Sequence, residues 1–523
     1  MRVRAALGGA LALACIASTP LEAQCPADRD SGRIITDVVI RRGNVFDTTE
    51  TNSWWHRLGN NLHRVTRPHV IRRELLLDAC LPYDSARAAE TERNLRALGT
   101  FRKVDVDTVS APGGVVLRVT TSDGWSTRPE FGFSSTGDQS TFTVGITEEN
   151  FLGHAIVAGF RYSSDPDRRT TSLRFTQRRT FGDFGVQLAG DNRTDGWNAS
   201  IAVTRPFFAF ESRSAVGALV AGSDGDVRRY RGGLREPELI LARRLGLAQV
   251  YAGRALSASP SAFWRVGGTV QVTSDAYAPA GIASERATVA NVELWTELSR
   301  SRYIEVEQYR SMGRAEDIDL SPRLHAGFLL APRALGYERD GVGVSLRSGM
   351  GVPLGGGFLA ATAEANGLFS GAGVDSGRVA VDATILLRPG THVSVLLHGQ
   401  TGWQERPAPG EEYDLGFSRG LRAHRTHAFS GDRVELVAGE VRWTALRELF
   451  GVVHLGVAAL GAHGGAWWSG DRRRTGSELG GGLRVAPSRL ADATIGRIDL
   501  MWRFATDREP GGWTIVFGEG LTF

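Results

Sequence analysis

From about residue 128 to the end of the chain, apolar and polar positions alternate in segments of roughly ten residues separated by turn residues. The stretch VAVDATILL places five apolar side chains on one face: Val379, Val381, Ala383, Ile385 and Leu387. Asp382 and Thr384 fall on the opposite face, and the stretches HVSVLLHGQ and GVGVSLRSG repeat the scheme. Polar side chains on one face of otherwise apolar strands are typical of a barrel with a polar lumen and an outside that meets lipid. A soluble β-sandwich alternates in the same way and is the alternative.

The final stretch of the chain, GGWTIVFGEGLTF, favours the barrel. Its apolar residues share one face of a strand, and the last is aromatic: Trp513, Ile515, Phe517, Leu521 and Phe523. In a soluble protein such a strand would leave a free edge that invites aggregation, whereas closure into a membrane barrel removes the edge. We therefore predict a mostly β protein built on a transmembrane antiparallel β-barrel. At about 25 residues for each strand and its connection, residues 127–523 predict about sixteen strands.

The preceding segment, residues 34–121, has the pattern of a small α/β domain. A strand rich in β-branched residues ends at Gly43, a helix follows Thr66, and a second helix follows the capping residue Asp84. Two alternating stretches, FRKVDVDTV and GVVLRVTT, predict two further strands. Trp54 and Trp55 lie in the long connection after the first strand, where they either enter a membrane interface or pack on the domain.

The first residues have the pattern of a secretory signal. Arg2 and Arg4 precede an apolar run that ends at Ala17, and small residues follow up to Ala23. The run is too short for a membrane-spanning helix. We therefore expect an exported protein with a signal peptide at 1–24, an α/β domain at 25–126 and a barrel at 127–523.

Composition excludes several classes of protein. The 61 basic and 57 acidic residues are interspersed and leave a formal net charge of +4, which argues against a nucleic-acid partner. With 65 glycines but only three cysteines, the chain is not a disulfide scaffold. Cys25 and Cys80 remain after the signal, and the sequence does not decide whether they pair.

Several motifs resemble the BamA/TamA family of bacterial outer-membrane proteins. VVIRRGN, VIRRELLLDACLPYD and RNLRALGTFRKVDV resemble the periplasmic POTRA domain of that family. EENFLGHA resembles an early turn of its barrels, and ELGGGLRV and GRIDLMWRF resemble strands near their end. The last strand is similar to the C-terminal signal by which outer-membrane barrels are recognised, although Glu519 interrupts its apolar face. The resemblance implies one α/β POTRA domain in the periplasm and a barrel in the outer membrane.

The stretch GLRAHRTHAFSGDR resembles the long sixth extracellular loop of the same family. There the loop folds into the lumen, and an arginine holds it to acidic residues of the wall. Arg422 is the positional match, with Glu440, Asp499 or another inward acidic residue as its partner, whereas Ala423 and His424 depart from the pattern. The alternatives are a solvated arginine and a metal site at His424-x-x-His427, for which a third ligand is missing.

The resemblance implies a protein that assists the insertion or translocation of polypeptides at the outer membrane. Its expected partners are outer-membrane lipids, unfolded or nascent outer-membrane or exported polypeptides, and periplasmic accessory proteins that bind the POTRA domain. No catalytic motif, phosphate loop or cysteine–zinc pattern occurs in the sequence. We therefore expect no enzyme activity, cofactor or metal. The alternative is a passive outer-membrane channel or surface receptor that inserts no other protein.

Overall fold

The computed structural model describes residues 33–47, 53–136, 139–279, 287–417, 419–491 and 494–521. The predicted signal peptide, Cys25 and Phe523 lie outside these ranges. Cys80 forms a disulfide. None of the helices in the described ranges is both long enough and apolar enough to span a membrane.

An N-terminal α/β domain precedes the barrel. Its elements are β1 (Ile35–Gly43), α1 (Trp54–Leu62), α2 (Pro68–Glu74), α3 (Ser85–Arg96), β2 (Phe101–Ala111) and β3 (Gly114–Asp123). The sheet has the order β1-β3-β2, with β3 parallel to β1 and antiparallel to β2. The Asp84 carboxylate caps α3 by accepting bonds from two backbone N–H groups. The apolar faces of sheet and helices meet in one core around the fully buried Leu95, Phe101 and Leu117.

Twenty-four further strands lie in the described residues after this domain. The first twelve are β4 (Thr127–Thr136), β5 (Gln139–Glu148), β6 (Ile156–Ser164), β7 (Arg169–Phe181), β8 (Phe184–Arg193), β9 (Gly196–Arg205), β10 (Ser214–Arg229), β11 (Leu239–Ala258), β12 (Ala262–Pro279), β13 (Ala287–Arg300), β14 (Tyr303–Val306) and β15 (Glu316–Asp319). The others are β16 (Arg323–Ala331), β17 (Gly341–Leu354), β18 (Gly357–Ser370), β19 (Gly373–Leu387), β20 (Val393–Glu405), β21 (Tyr413–Leu415), β22 (Phe429–Gly431), β23 (Arg433–Leu449), β24 (Val453–Trp467), β25 (Gly476–Pro487), β26 (Gly496–Arg503) and β27 (Gly512–Glu519). Short 3-10 turns occur at Phe151–Gly153 and Arg333–Leu335.

Twenty of these strands form one closed antiparallel barrel. They follow one another in chain order around the wall, and β27 pairs with β4 to close it, while β14–β15 and β21–β22 are separate hairpins. Side chains alternate along each strand as the sequence pattern predicted. On β23, Leu436 and Glu440 are buried and face the lumen, whereas Val437 and Val441 are exposed on the outside. The confirmed part of the fold prediction is a mostly β protein with a closed antiparallel barrel.

The prediction of a sixteen-stranded barrel preceded by a POTRA domain is wrong. The barrel has twenty strands because many connections are only two residues long, so a strand and its connection use fewer residues than the prediction assumed. One such turn is Gly355-Gly356, whose positive φ angles suit a tight hairpin turn. The N-terminal domain has three helices where the sequence predicted two, because the connection that carries Trp54 forms α1. We therefore describe it only as an α/β domain.

Two segments enter the barrel from opposite ends. The end that carries the N-terminal domain is called the proximal end, and the other the distal end. The floor hairpin (residues 301–322, with β14 and β15) enters from the proximal end and packs Leu320 against inward residues of the wall. The lumen loop (residues 406–432, with β21 and β22) enters from the distal end. The N-terminal domain contacts the barrel through paired hydrogen bonds from Arg87 to Glu211 and from Arg96 to Asp317.

Candidate functional site

The lumen loop packs its tip inside the barrel wall. Leu421, Ala423 and His424 are each fully buried. Ala423 lies in a small apolar cluster with inward residues of β24, β26 and β27. Space for the tip comes from glycine, since a Cβ at Gly476 on β25 would lie 2.7 Å from ring atoms of His424. The loop is therefore a fitted part of the lumen.

Arg422, the arginine that the sequence singled out, lies at this tip. Its guanidinium donates to the backbone carbonyl of Leu521 at 2.6 Å, just beyond β27. Its backbone N–H donates to the carboxylate of Glu478 at 3.1 Å. The neighbouring N–H of Ala423 donates to the same carboxylate at 2.7 Å. The backbone of the tip is thus held by an inward carboxylate of β25, and the Arg422 side chain reaches the end of the last strand.

The two predicted acidic partners, Glu440 and Asp499, lie together deeper in the wall. Arg484 joins them, with its Nε 2.7 Å from Glu440 and its Nη1 2.6 Å from Asp499. Arg442 adds a second contact to Glu440 at 2.7 Å and donates to the carbonyl of Tyr309 in the floor hairpin at 2.6 Å. These side chains are nearly inaccessible to solvent. Buried charges of this kind are tolerated only when they are paired, and removing one partner is strongly destabilising.

A second tether of the lumen loop involves Glu509, which lies in the connection between β26 and β27. Its carboxylate lies 2.8 Å from Nδ1 of His424, accepts the backbone N–H of Arg425 at 3.1 Å and pairs with the Arg425 guanidinium at 3.2 Å. Burial raises the pKa of Glu509, but the contacts with His424 and the backbone of Arg425 outweigh it and hold the pKa below its usual value. Glu509 is thus a charged anchor for two residues of the loop.

His427 makes the third tether, at the distal rim. Its Nδ1 lies 2.8 Å from Asp414 in the loop, and its Nε2 lies 3.0 Å from Asp167 in the connection between β6 and β7. The ring stacks on Tyr230 at 3.7 Å between centroids, and the Tyr230 hydroxyl donates to Asp167 at 2.7 Å. Burial lowers the pKa of His427, but the two carboxylates outweigh it and raise the pKa to about 9. An ion pair to the wall is therefore built into the loop.

The barrel closes at the seam, which is the contact between β27 and β4. Among the described residues, the two strands pair only at Ile515–Ser135, Val516–Ser134 and Phe517–Phe133. The neighbouring ladders are longer, with eight pairs between β26 and β27 and ten between β4 and β5. Fewer backbone hydrogen bonds hold the seam than hold its neighbours.

The residues proposed as a C-terminal strand signal separate into two groups. Trp513 and Ile515 face outward and are exposed, and Phe517 lies 6.2 Å from Phe133 across the seam, measured between ring centroids. Leu521 lies beyond the end of β27 and packs against the cluster formed by the floor hairpin.

Sequence reasoning missed the acidic residues that hold the lumen loop. The sequence does contain an indication for Glu478. It lies on the same inward-facing side of β25 as Arg484, in a strand that is otherwise mostly apolar and rich in glycine. Asp167 and Glu509 lie in turns that have the composition of solvated loops, so nothing in the sequence marks them as partners of the loop. Among the described residues, no group of three or more His, Cys, Asp or Glu side chains could hold a metal ion.

Comparison with known proteins gives similarity of architecture alone. No family model matches the chain, and no curated protein matches its sequence. BamA from Haemophilus ducreyi lacking POTRA domains 1–3 is 12% identical with a TM-score of 0.42, and the match covers 92% of this chain and 84% of that chain. CdiB from Acinetobacter baumannii is 12% identical with a TM-score of 0.48, and the match covers 94% of this chain and 74% of that chain. The FrpB iron transporter from Neisseria meningitidis is 8% identical with a TM-score of 0.41, and the match covers 93% of this chain and 92% of that chain. All three matches extend over a large β-barrel and assign no family to this chain.

Proposed function

We propose that this protein is a bacterial outer-membrane barrel that assists the insertion or translocation of other polypeptides without covalent chemistry. The outer face of the wall supports the membrane location. Apolar side chains such as Phe131, Leu479 and Ile515 are exposed there, on strand after strand. In water so large an apolar surface would be costly, whereas lipid accommodates it. Closure of the wall also pairs each barrel strand with a neighbour on both sides, and the ladder is short only at the seam.

Two segments that enter the lumen favour this function over that of a passive channel. The lumen loop occupies one end of the barrel and the floor hairpin occupies the other. Arg442 fixes the hairpin by its bond to the Tyr309 carbonyl, and Glu478 fixes the loop by two backbone bonds. Both segments are thus fixed inside the barrel, where they reduce the space open to solutes.

The short seam is the observation that carries the proposal. Opening a ladder of three residue pairs breaks fewer backbone hydrogen bonds than opening any adjacent ladder. The exposed edges of β4 and β27 could then pair with a strand of the client polypeptide, which is a general mode of peptide recognition. The N-terminal domain, at the proximal end, would lie on the periplasmic side, where clients and accessory proteins arrive.

A reversible lock across the seam tests this mechanism. Val516 and Ser134 are direct partners, and Cα atoms of paired strands lie within the range that a disulfide spans. In liposomes that contain the S134C/V516C variant, we expect oxidation to abolish insertion of an unfolded outer-membrane barrel and reduction to restore it. The matched control is S134C/T141C, which locks the permanent ladder between β4 and β5 and should insert clients in both redox states. Equal insertion by the oxidised and reduced seam variant would refute the mechanism.

A further inference from the structure

Helix α1 presents an apolar face that the N-terminal domain does not cover. Trp54, Leu58 and Leu62 follow at intervals of four residues and therefore share one side of the helix. Their exposed fractions are 70%, 47% and 67%. Arg57 and Asn61 are also exposed and lie along one border of this face. We call the three apolar residues the α1 face.

The opposite side of α1 is firmly attached to the domain. The Asn60 side chain exchanges two hydrogen bonds with the backbone of Phe46, at 3.0 and 2.9 Å. His63, at the end of the helix, lies 2.9 Å from the buried Asp123. Gly59 allows close approach, since a Cβ there would lie 3.0 Å from the Phe46 ring. These contacts fix the rotation of α1, so its apolar side points outward in the folded domain.

The α1 face continues into the outer surface of the barrel. Leu62 borders a cavity of about 380 Å³ together with Phe151 and Leu152, which form the turn between β5 and β6. Both turn residues are exposed, and Leu152 has a positive φ of 56° that is unfavourable for leucine. Beyond the turn, the exposed Ile146 belongs to the outward face of β5. Apolar side chains of the barrel wall, the turn and the helix thus adjoin one another, and polar residues such as Glu148 and Asn150 line the cavity between them.

We propose that α1 lies in the lipid interface of the leaflet at the proximal end of the barrel. Trp54, Leu58 and Leu62 would enter the boundary between headgroups and acyl chains, which is the usual position of an amphipathic helix with an aromatic residue. The exposed cations Arg57 and Arg64 would meet lipid phosphates. Lipid fits the α1 face because the surface that adjoins it is the lipid-facing wall. The inference rests on the membrane location proposed above.

This anchor would lie beside the seam. Trp125 approaches Gly59 of α1 and lies two residues before the start of the first barrel strand. Its backbone bonds to Arg489 and Ala491, in the connection that leads to β26. The lipid contact would therefore hold the N-terminal domain at the part of the rim where the wall closes.

Paramagnetic relaxation measurements on the full chain in phospholipid bilayers test the inference. A nitroxide is attached to a single introduced cysteine at Leu58, Ile146 or Val109. Val109 is matched to Leu58 in exposure, at 43% against 47%, but lies on β2 near the hairpin turn that is remote from the barrel. We expect oxygen collisions to exceed those of a water-soluble nickel chelate severalfold at Leu58 and Ile146, with the reverse at Val109. Adding L62D should shift the Leu58 label toward water, whereas V109D should not.

The label at Ile146, on the barrel wall, distinguishes failure of the helix placement from failure of the membrane location. An aqueous Leu58 label beside a lipid-exposed Ile146 label would overturn the placement of α1 and leave the membrane barrel intact. An aqueous Ile146 label would overturn the membrane location and, with it, the placement of α1. Protection of Leu58 that arises only on adding unfolded polypeptide, or only at high protein concentration, would assign the face to a client or a second copy and refute the lipid contact.

Discussion

The ion pairs of His427 predict that the stability of the lumen loop in its bound position depends on pH. His427 lies between Asp167 and Asp414, in connections beyond the ends of the barrel strands, and stacks on Tyr230. Burial raises the pKa of Asp167, but His427, Tyr230 and Arg228 outweigh it and lower the pKa. The pKa of Asp167 falls to about 2, so both ends of the pair are ionised near neutrality.

The magnitude follows from the shift in the pKa of His427. The pKa rises from 6.5 to about 9 on folding. At 1.36 kcal/mol for each pKa unit, the charged imidazole contributes about 3 kcal/mol to the folded loop. Because the folded pKa is the higher one, this contribution is complete below about pH 6.5 and is lost as the pH rises through about 9. The equilibrium for release of the loop should therefore rise by roughly two orders of magnitude across this window.

Limited proteolysis within residues 416–433 of the barrel, reconstituted in bilayers, measures this effect. Rates are divided by those of the denatured chain at the same pH, which removes the pH dependence of the protease. We expect cleavage of the native chain to increase from pH 6.5 to pH 10. The H427Q variant, which cannot titrate, should be cleaved faster than the native chain at pH 6.5 and at a constant rate throughout. A native profile that is flat, or identical to that of H427Q, would refute the reasoning.

Three further predictions concern the other contacts. Glu509→Gln removes the negative charge that pairs with Arg425 and contacts His424, so protease cleavage of the loop should increase by an amount equivalent to about 1.5–3 kcal/mol. The exposed Arg419→Ala is the control and should behave like the native chain. In intact membranes a water-soluble thiol reagent should label Asp382→Cys but not Ile385→Cys, and equal labelling would contradict the assignment of faces on β19. Asp84→Ala removes the N-cap of α3 and should cost about 1 kcal/mol, seen as earlier loss of the helical circular dichroism signal on heating; an unchanged transition would show that the cap contributes little.

Features that depend on residues close in the chain were predictable. The period of two assigned Val381 and Leu387 to one face of a strand, and the structure exposes both on the outside of the barrel while Leu386 is buried inside. The capping residue Asp84 was identified in the same way, because a cap contacts its own helix. The number of strands could not be predicted by dividing the length of the barrel by an average length for a strand and its connection. The connections range from two residues, as at Gly355-Gly356, to the much longer lumen loop.

The acidic partners of the lumen loop could not be predicted from the sequence, because the contacts form only when the barrel closes. Glu509 meets His424 across 85 positions of the chain, and Asp167 meets His427 across 260. Each of these carboxylates lies in a short polar turn, and such turns are usually solvated. Only the folded wall brings the turns to the loop. Arg425 shows the same limit, because its partner Glu509 has no local signal.

The lumen loop contacts both sides of the seam, so its position affects how easily the seam can open. On the side of the last strand, the carbonyl of Ala423 accepts a hydrogen bond from Thr514 of β27 at 3.2 Å. On the side of the first hairpin, the N–H of Thr426 donates to the Gln139 side chain, at the start of β5, at 3.2 Å. Separation of β4 from β27 would pull these two contacts apart, so the loop must release one side before the seam can widen fully. The resistance of the seam to opening therefore includes the loop across it as well as the three-pair ladder. Because His427 fixes the same loop at the distal rim, a change that weakens that tether should also make the seam easier to open.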